Sequence, residues 1–131
     1  MSKVQELHEQ AMILSDQAMV ARHRGENERA IVLSRQAFEY ESQAAALIPN
    51  DKNAEPTRSI LYCSAASIAY DAQELWKAQQ LIVEGLSGYP SPYIKKTLKS
   101  LYDKIHTELQ NQVKTLTVRQ KYIPSLRHKP A

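Results

Sequence analysis

His8-Glu9 begins as the metalloprotease helix motif begins, but that motif needs a second histidine four residues after the first, and Met12 stands there. Zinc requires three or four converging ligands, and the four histidines, at 8, 23, 106 and 128, have no ligand spacing among themselves. The single cysteine, Cys63, lies in Tyr62-Cys63-Ser64-Ala65 with no histidine nearby in sequence to draw off its proton. It cannot form an internal disulfide. A nucleophile-elbow, P-loop or dinucleotide glycine fingerprint is absent, and three glycines leave little material for one. The residues therefore predict a chain without catalysis, metal or cofactor, in which Cys63 is a small packed or groove-facing side chain.

The elements that carry these residues follow from apolar spacing. Val4, Leu7, Ala11, Leu14, Ala18 and Ala21 alternate steps of three and four, which predicts a helix over about Ser2 to His23, stopped by a left-handed Gly25. A second stripe, Ala30, Leu33, Ala37, Tyr40, Ala44 and Leu47, with Ile31 and Phe38 beside it, predicts a helix that ends before Ile48-Pro49-Asn50-Asp51. Leu61, Ala65, Ile68 and Ala72 predict a third helix starting near Pro56. Ala78, Leu81, Ile82, Gly85 and Leu86 predict a fourth, with Leu75 and Trp76 in the turn before it and Gly88-Tyr89-Pro90 after it. Ile94, Leu98, Leu101, Ile105, Leu109 and Val113 predict a fifth, fading near Leu116. Sustained alternation of period two is missing, so the expected fold is all-α, with antiparallel hairpins where the links are short.

Composition narrows the partners. The 131 residues are 43% hydrophobic and 24% charged, the balance of an ordinary globular domain. Net charge is +3, but Lys114 to Ala131 holds five basic residues and no acid, so the chain before it is slightly acidic. A helical domain over 1–116 and a basic, extended or disordered segment over 117–131 are expected. Arg119, Lys121, Tyr122, Arg127 and Lys129 are that segment's candidate contacts. The polar opening MSKVQELHEQ carries no apolar signal core, and apolar runs are far too short to span a bilayer, which predicts a cytoplasmic location. Arg58 sits at the start of the third helix, where a cation is disfavoured, and is expected to pair with Glu55 or Glu41.

Placing Ala30 on Ala78 puts Ala18 on Ala66, Ala21 on Ala69, Ala37 on Gly85 and Gly25-Glu26 on Gln73-Glu74. Small residues on facing helices let backbones approach, and their recurrence 48 residues apart predicts stacked hairpins. This pattern resembles the tetratricopeptide repeat (TPR) over about Val4 to Pro90, with Tyr62, Ala66, Ala69, Ala78, Gly85 and Pro90 at matching spacings. It departs from that family in lacking the signature Trp, in having Ala for the usual Gly, and in a hairpin spacing longer than the family's roughly 34 residues. The first hairpin alone is also similar to the microtubule-interacting-and-trafficking hairpin.

The resemblance implies TPR-like stacked hairpins closed by a capping fifth helix that turns Lys95, Lys96, Lys99 and Lys104 outward. It also implies a protein-binding groove lined by the first helix of each hairpin. The matched positions are Met12, Ser15, Met19 and Arg22 in the first hairpin, then Cys63, Ser67, Tyr70 and Asp71 in the second. The lysine and asparagine that hold chaperone C-termini in the family are replaced here by Ser15, Met19, Cys63 and Ser67, so a different protein or peptide partner is expected. A two-unit array has a small core, which makes a homodimer a further expectation. The alternative is a nucleic-acid-associated accessory protein using Lys95, Lys96, Lys99 and the basic segment.

Overall fold

The computed structural model describes residues 2–122, with side chains through residue 117. Five α-helices and one short 3-10 turn account for nearly all of this length, and the described residues contain no strand. They are α1 (Lys3–His23), α2 (Asn27–Ala46), α3 (Thr57–Asp71), α4 (Leu75–Leu86) and α5 (Pro92–Tyr122), with the 3-10 turn at Lys52–Ala54 between α2 and α3. The packing runs in order, α1 on α2, α2 on α3, α3 on α4, and α5 across both α3 and α4.

Each helix begins and ends for a local reason. Ser2 caps α1 with a reciprocal pair, its hydroxyl accepting from the Gln5 N–H while the Gln5 side chain accepts from the Ser2 N–H. Gly25 then takes φ 79°, the left-handed conformation that stops the helix. At the matching place after α3 stands Gln73, with φ 61° and no glycine to relieve it.

The two hairpin turns are built alike at the 48-residue offset that the small residues predict. Glu26 N–H donates to Ala21 O and Glu74 N–H to Ala69 O, both at 2.9 Å. Gly25 N–H to Arg22 O and Gln73 N–H to Tyr70 O repeat the correspondence, at 3.1 and 3.0 Å. α1 and α3 end, and α2 and α4 begin, at equivalent positions.

The small residues are where the helices touch. Ala18, Ala21, Ala30 and Ala37 are buried in the first hairpin, and Ala66, Ala69, Ala78 and Gly85 in the second. At Gly85 a Cβ would come within 3.0 Å of Tyr62 Cβ and 3.2 Å of Leu98 Cδ1, so this glycine sets how closely α3 and α5 approach α4. Ile82, Leu98 and Ile105 are the largest fully buried apolar side chains and fill the space between α3, α4 and α5.

Four expectations are corrected. On α2, Ser34, Glu41 and Ala45 are buried beside Phe38 and the alanines of the stripe, while Tyr40 and Leu47 face solvent. Leu75 and Trp76 are the first two residues of α4 rather than a turn. α5 continues to Tyr122, so the segment expected to be extended from Thr117 is helical through residue 122, and 123–131 lie outside the described residues.

The fourth correction concerns Arg58. It is buried against the C-terminal turn of α4, where Nη1 donates to Glu84 O at 3.3 Å and Nη2 lies 3.9 Å from Glu84 Oε2. Its guanidinium carbon stands 4.8 Å from the Tyr62 ring centre. Antiparallel pairing puts the start of α3 beside the end of α4, so a cation misplaced on its own helix is well placed on its neighbour. Gly88 leaves the room, since a Cβ there would run into the guanidinium.

Candidate functional site

α1 and α3 end in equivalent hairpin turns, and α5 packs on both α3 and α4. The C-terminal ends of α1 and α3 and the middle of α5 bring three of the expected groove residues, Arg22, Tyr70 and Asp71, together with Lys104 and Glu108. Arg22 in the last turn of α1 and Lys104 of α5 both act on the carboxyl of Asp71, the last residue of α3. Desolvation raises that carboxyl's pKa against the opposing pull of the two cations. Beside it the Tyr70 hydroxyl donates to Glu108 Oε1, and Lys104 Nζ sits 4.6 Å from the Tyr70 ring centre. The bond to Glu108, with desolvation and the nearby carboxylates behind it, pushes the Tyr70 phenol up to about 12.

The other expected residues are spread along the same two helices. Met19 is 60% exposed, a large flexible apolar side chain facing solvent on α1. Ser67 lines a shallow depression of ≈ 470 Å³ with Lys96, Ser100 and Lys104 of α5. Met12, Cys63 and Tyr70 are half-buried and rest on the main apolar cluster, so they support the face from beneath. Burial raises the Cys63 thiol, which opposes thiolate formation. Ser15 is half-buried on α1. Arg22 also reaches back to Ser34 of α2, at 3.5 Å from Nη2 to Oγ.

Two features escape sequence reasoning. Lys104 and Glu108 are one turn apart on α5, an ordinary exposed pair in sequence, and only the packing of α5 on α3 brings them to Tyr70. The second is a buried carboxylate. Glu41 is fully enclosed, with His8 Nδ1 2.8 Å from Oε1 and the Ser64 hydroxyl donating to Oε2 at 2.7 Å. α1, α2 and α3 are thereby joined through one side chain. Here the carboxylate lies between the serine and the histidine, whereas a hydrolase places the histidine between the other two, so the arrangement cross-links helices and does not prepare a nucleophile.

Among the described residues no group of three or more His, Cys, Asp or Glu side chains converges to hold a metal ion. No described helix is long and apolar enough to cross a membrane. Lys95, Lys96 and Lys99 are exposed along α5 and line one shallow surface with Ser100 and Asp103. Of the expected tail contacts, Arg119, Lys121 and Tyr122 fall on the last turns of α5, where only the backbone is described, and Arg127 and Lys129 lie outside the described residues. No family model, curated protein or solved structure matches the chain.

Proposed function

We propose that this chain is a non-catalytic adaptor of the TPR-like kind, which holds a peptide, helix or subunit of another protein against the face shared by α1, α3 and α5. The observation that carries the reading is the convergence of Arg22, Tyr70, Asp71 and Lys104 at one end of that face. Exposed Met19 supplies apolar contact beside charges of both signs, a mixture suited to a protein surface. The 48-residue equivalence of the two hairpins supports the TPR-like assignment, because a repeated hairpin presents equivalent first helices side by side.

The test is capture by the immobilised chain from extract of cells that express it, comparing Met19→Glu with Val32→Glu, a substitution on the exposed side of α2. A protein held by the native chain and by Val32→Glu but lost with Met19→Glu is the expected result. Retention by Met19→Glu contradicts the reading.

A second reading rests on Lys95, Lys96 and Lys99, whose shared surface supports attraction to nucleic acid. Binding that weakens steeply with salt and is lost when all three become Gln is what that reading predicts.

A further inference from the structure

The start of α5 gathers rings and lysines and leaves out acids. Ser87 to Tyr102 holds three lysines, three tyrosines and no Asp or Glu. The same imbalance divides the chain, with nine Lys and Arg against two acids from Lys95 onward and eight against twelve before it.

Helix geometry turns these residues outward. Ile94, Leu98 and Leu101 pack on the core, which leaves Tyr93, Lys96, Ser100 and Lys104, at steps of three and four, as a stripe beside them. With Ser67 of α3 this stripe lines the depression of ≈ 470 Å³. Tyr93 is 81% exposed, the most exposed aromatic ring of the described residues. Lys95 and Lys99 lie on the far side of the stripe and line a second depression, of ≈ 550 Å³. Lys96 and Ser100 belong to both depressions, so the two form one continuous surface along the first part of α5. Asp103 is the one acid that lines either. Just before α5, Lys52 Nζ stands 5.5 Å from the ring centre of exposed Tyr89, which brings a further cation and ring to this end of the helix.

We propose that this surface binds single-stranded nucleic acid, with a base stacked on the Tyr93 ring and phosphates held by Lys95, Lys96 and Lys99. The proposal rests on the nucleic-acid reading of the lysines and names the form of nucleic acid that they serve.

The ring is what selects a strand. Phosphates answer the lysines in any nucleic acid, and so do carboxylates in an acidic peptide. Neither a duplex nor an acidic peptide answers Tyr93. Duplex bases spend their faces on one another, and a carboxylate is repelled by the negative face of an aromatic ring. A single strand offers an unpaired base face together with phosphates, and open, shallow surfaces that pair an exposed ring with cations suit it. Stacking and charge read no base edges, so binding is expected to tolerate changes of sequence.

The test is fluorescence anisotropy of the full chain with a labelled, mixed-sequence strand of about 12 nucleotides, as DNA and as RNA, beside the DNA duplex of the same sequence. Binding to either single strand about tenfold tighter than to the duplex is the expected result. Tyr93→Ala is expected to lose that preference and Tyr93→Phe to keep it, since the ring and not the hydroxyl makes the stack. Changing Lys95, Lys96 and Lys99 together to Gln is expected to reduce the slope of log affinity against log salt by about two, a slope that Tyr93→Ala leaves unchanged. All four positions are exposed, and circular dichroism checks that each variant keeps its helicity. Equal binding of strand and duplex, with Tyr93→Ala silent, overturns the proposal and leaves the lysine reading standing. Absence of binding to either form at low salt overturns both. Displacement of the strand by polyglutamate of matched charge overturns the proposal in favour of an acidic protein segment.

Discussion

The Ser64 hydroxyl donates to Glu41 at 2.7 Å, and this bond ties the second helix of the first hairpin to the first helix of the second. Glu41 is fully buried and its other oxygen is taken by His8, so the hairpins are joined by a polar contact inside an otherwise alanine-rich seam. Such a contact fixes the relative setting of the two units more than it adds to stability, because much of its gain goes to desolvating the carboxylate.

Ser64→Ala and His8→Ala each leave one buried oxygen of Glu41 without a partner, and each is expected to cost about 1–3 kcal/mol. Urea unfolding of the two single variants and the double variant checks this, with the double departing from the sum because both act on one carboxylate.

The packing residues give a second expectation. Ala66→Leu is expected to lower stability by about 1–3 kcal/mol, since overpacking a filled contact forces backbones apart. Ala18→Leu, its equivalent in the first hairpin, is expected to behave alike. Equal unfolding midpoints for either variant and the native chain would contradict the equivalence.

These alanines are also the part of the fold most legible in sequence. Ala18 with Ala66 and Ala30 with Ala78 recur because each helix pair needs small residues at one height, a constraint that acts locally within each hairpin. The α2 stripe misleads for the opposite reason. Tyr40 and Leu47 keep the period yet face solvent, while Ser34 and Glu41 are buried, because partners from α1 and α3 satisfy those polar groups. A partner 23 or 33 residues away leaves no trace in local spacing. Arg58 shows the same limit, since Glu84 and Gly88 become its surroundings only once α4 has folded back. In the candidate site, Arg22, Tyr70 and Asp71 could be named from the repeat, whereas Lys104 and Glu108 could not, because α5 is not aligned by the repeated small residues.

The turns supply a third prediction. Gln73 holds φ 61°, so Gln73→Gly removes left-handed strain and is expected to stabilise the chain by about 0.5–1 kcal/mol. Gly25→Ala at φ 79° meets no neighbour within 4 Å, so its cost is backbone strain alone, about 1–2 kcal/mol. Thermal unfolding of both variants, moving in opposite directions, is the check.

Tyr70 gives a pH dependence. Its folded pKa, about 12, lies above the ordinary value of 10.0, so its contribution to stability is fully present below pH 10 and is lost as pH rises toward 12. Glu108→Gln removes the leading cause and is expected to bring the Tyr70 titration down toward 10. Ring-carbon NMR titration of Tyr70 reads it directly, and an unchanged titration in Glu108→Gln would contradict the assignment.

The central claim is that the α1, α3 and α5 face holds a protein. A photo-crosslinking amino acid placed at Met19, and in a control chain at Val32, is irradiated in extract of cells that express the protein, at high salt. The account predicts a discrete protein adduct from the Met19 position that the Val32 position does not give. Adducts at Val32 with none at Met19, or nucleic acid alone at Met19, would contradict it.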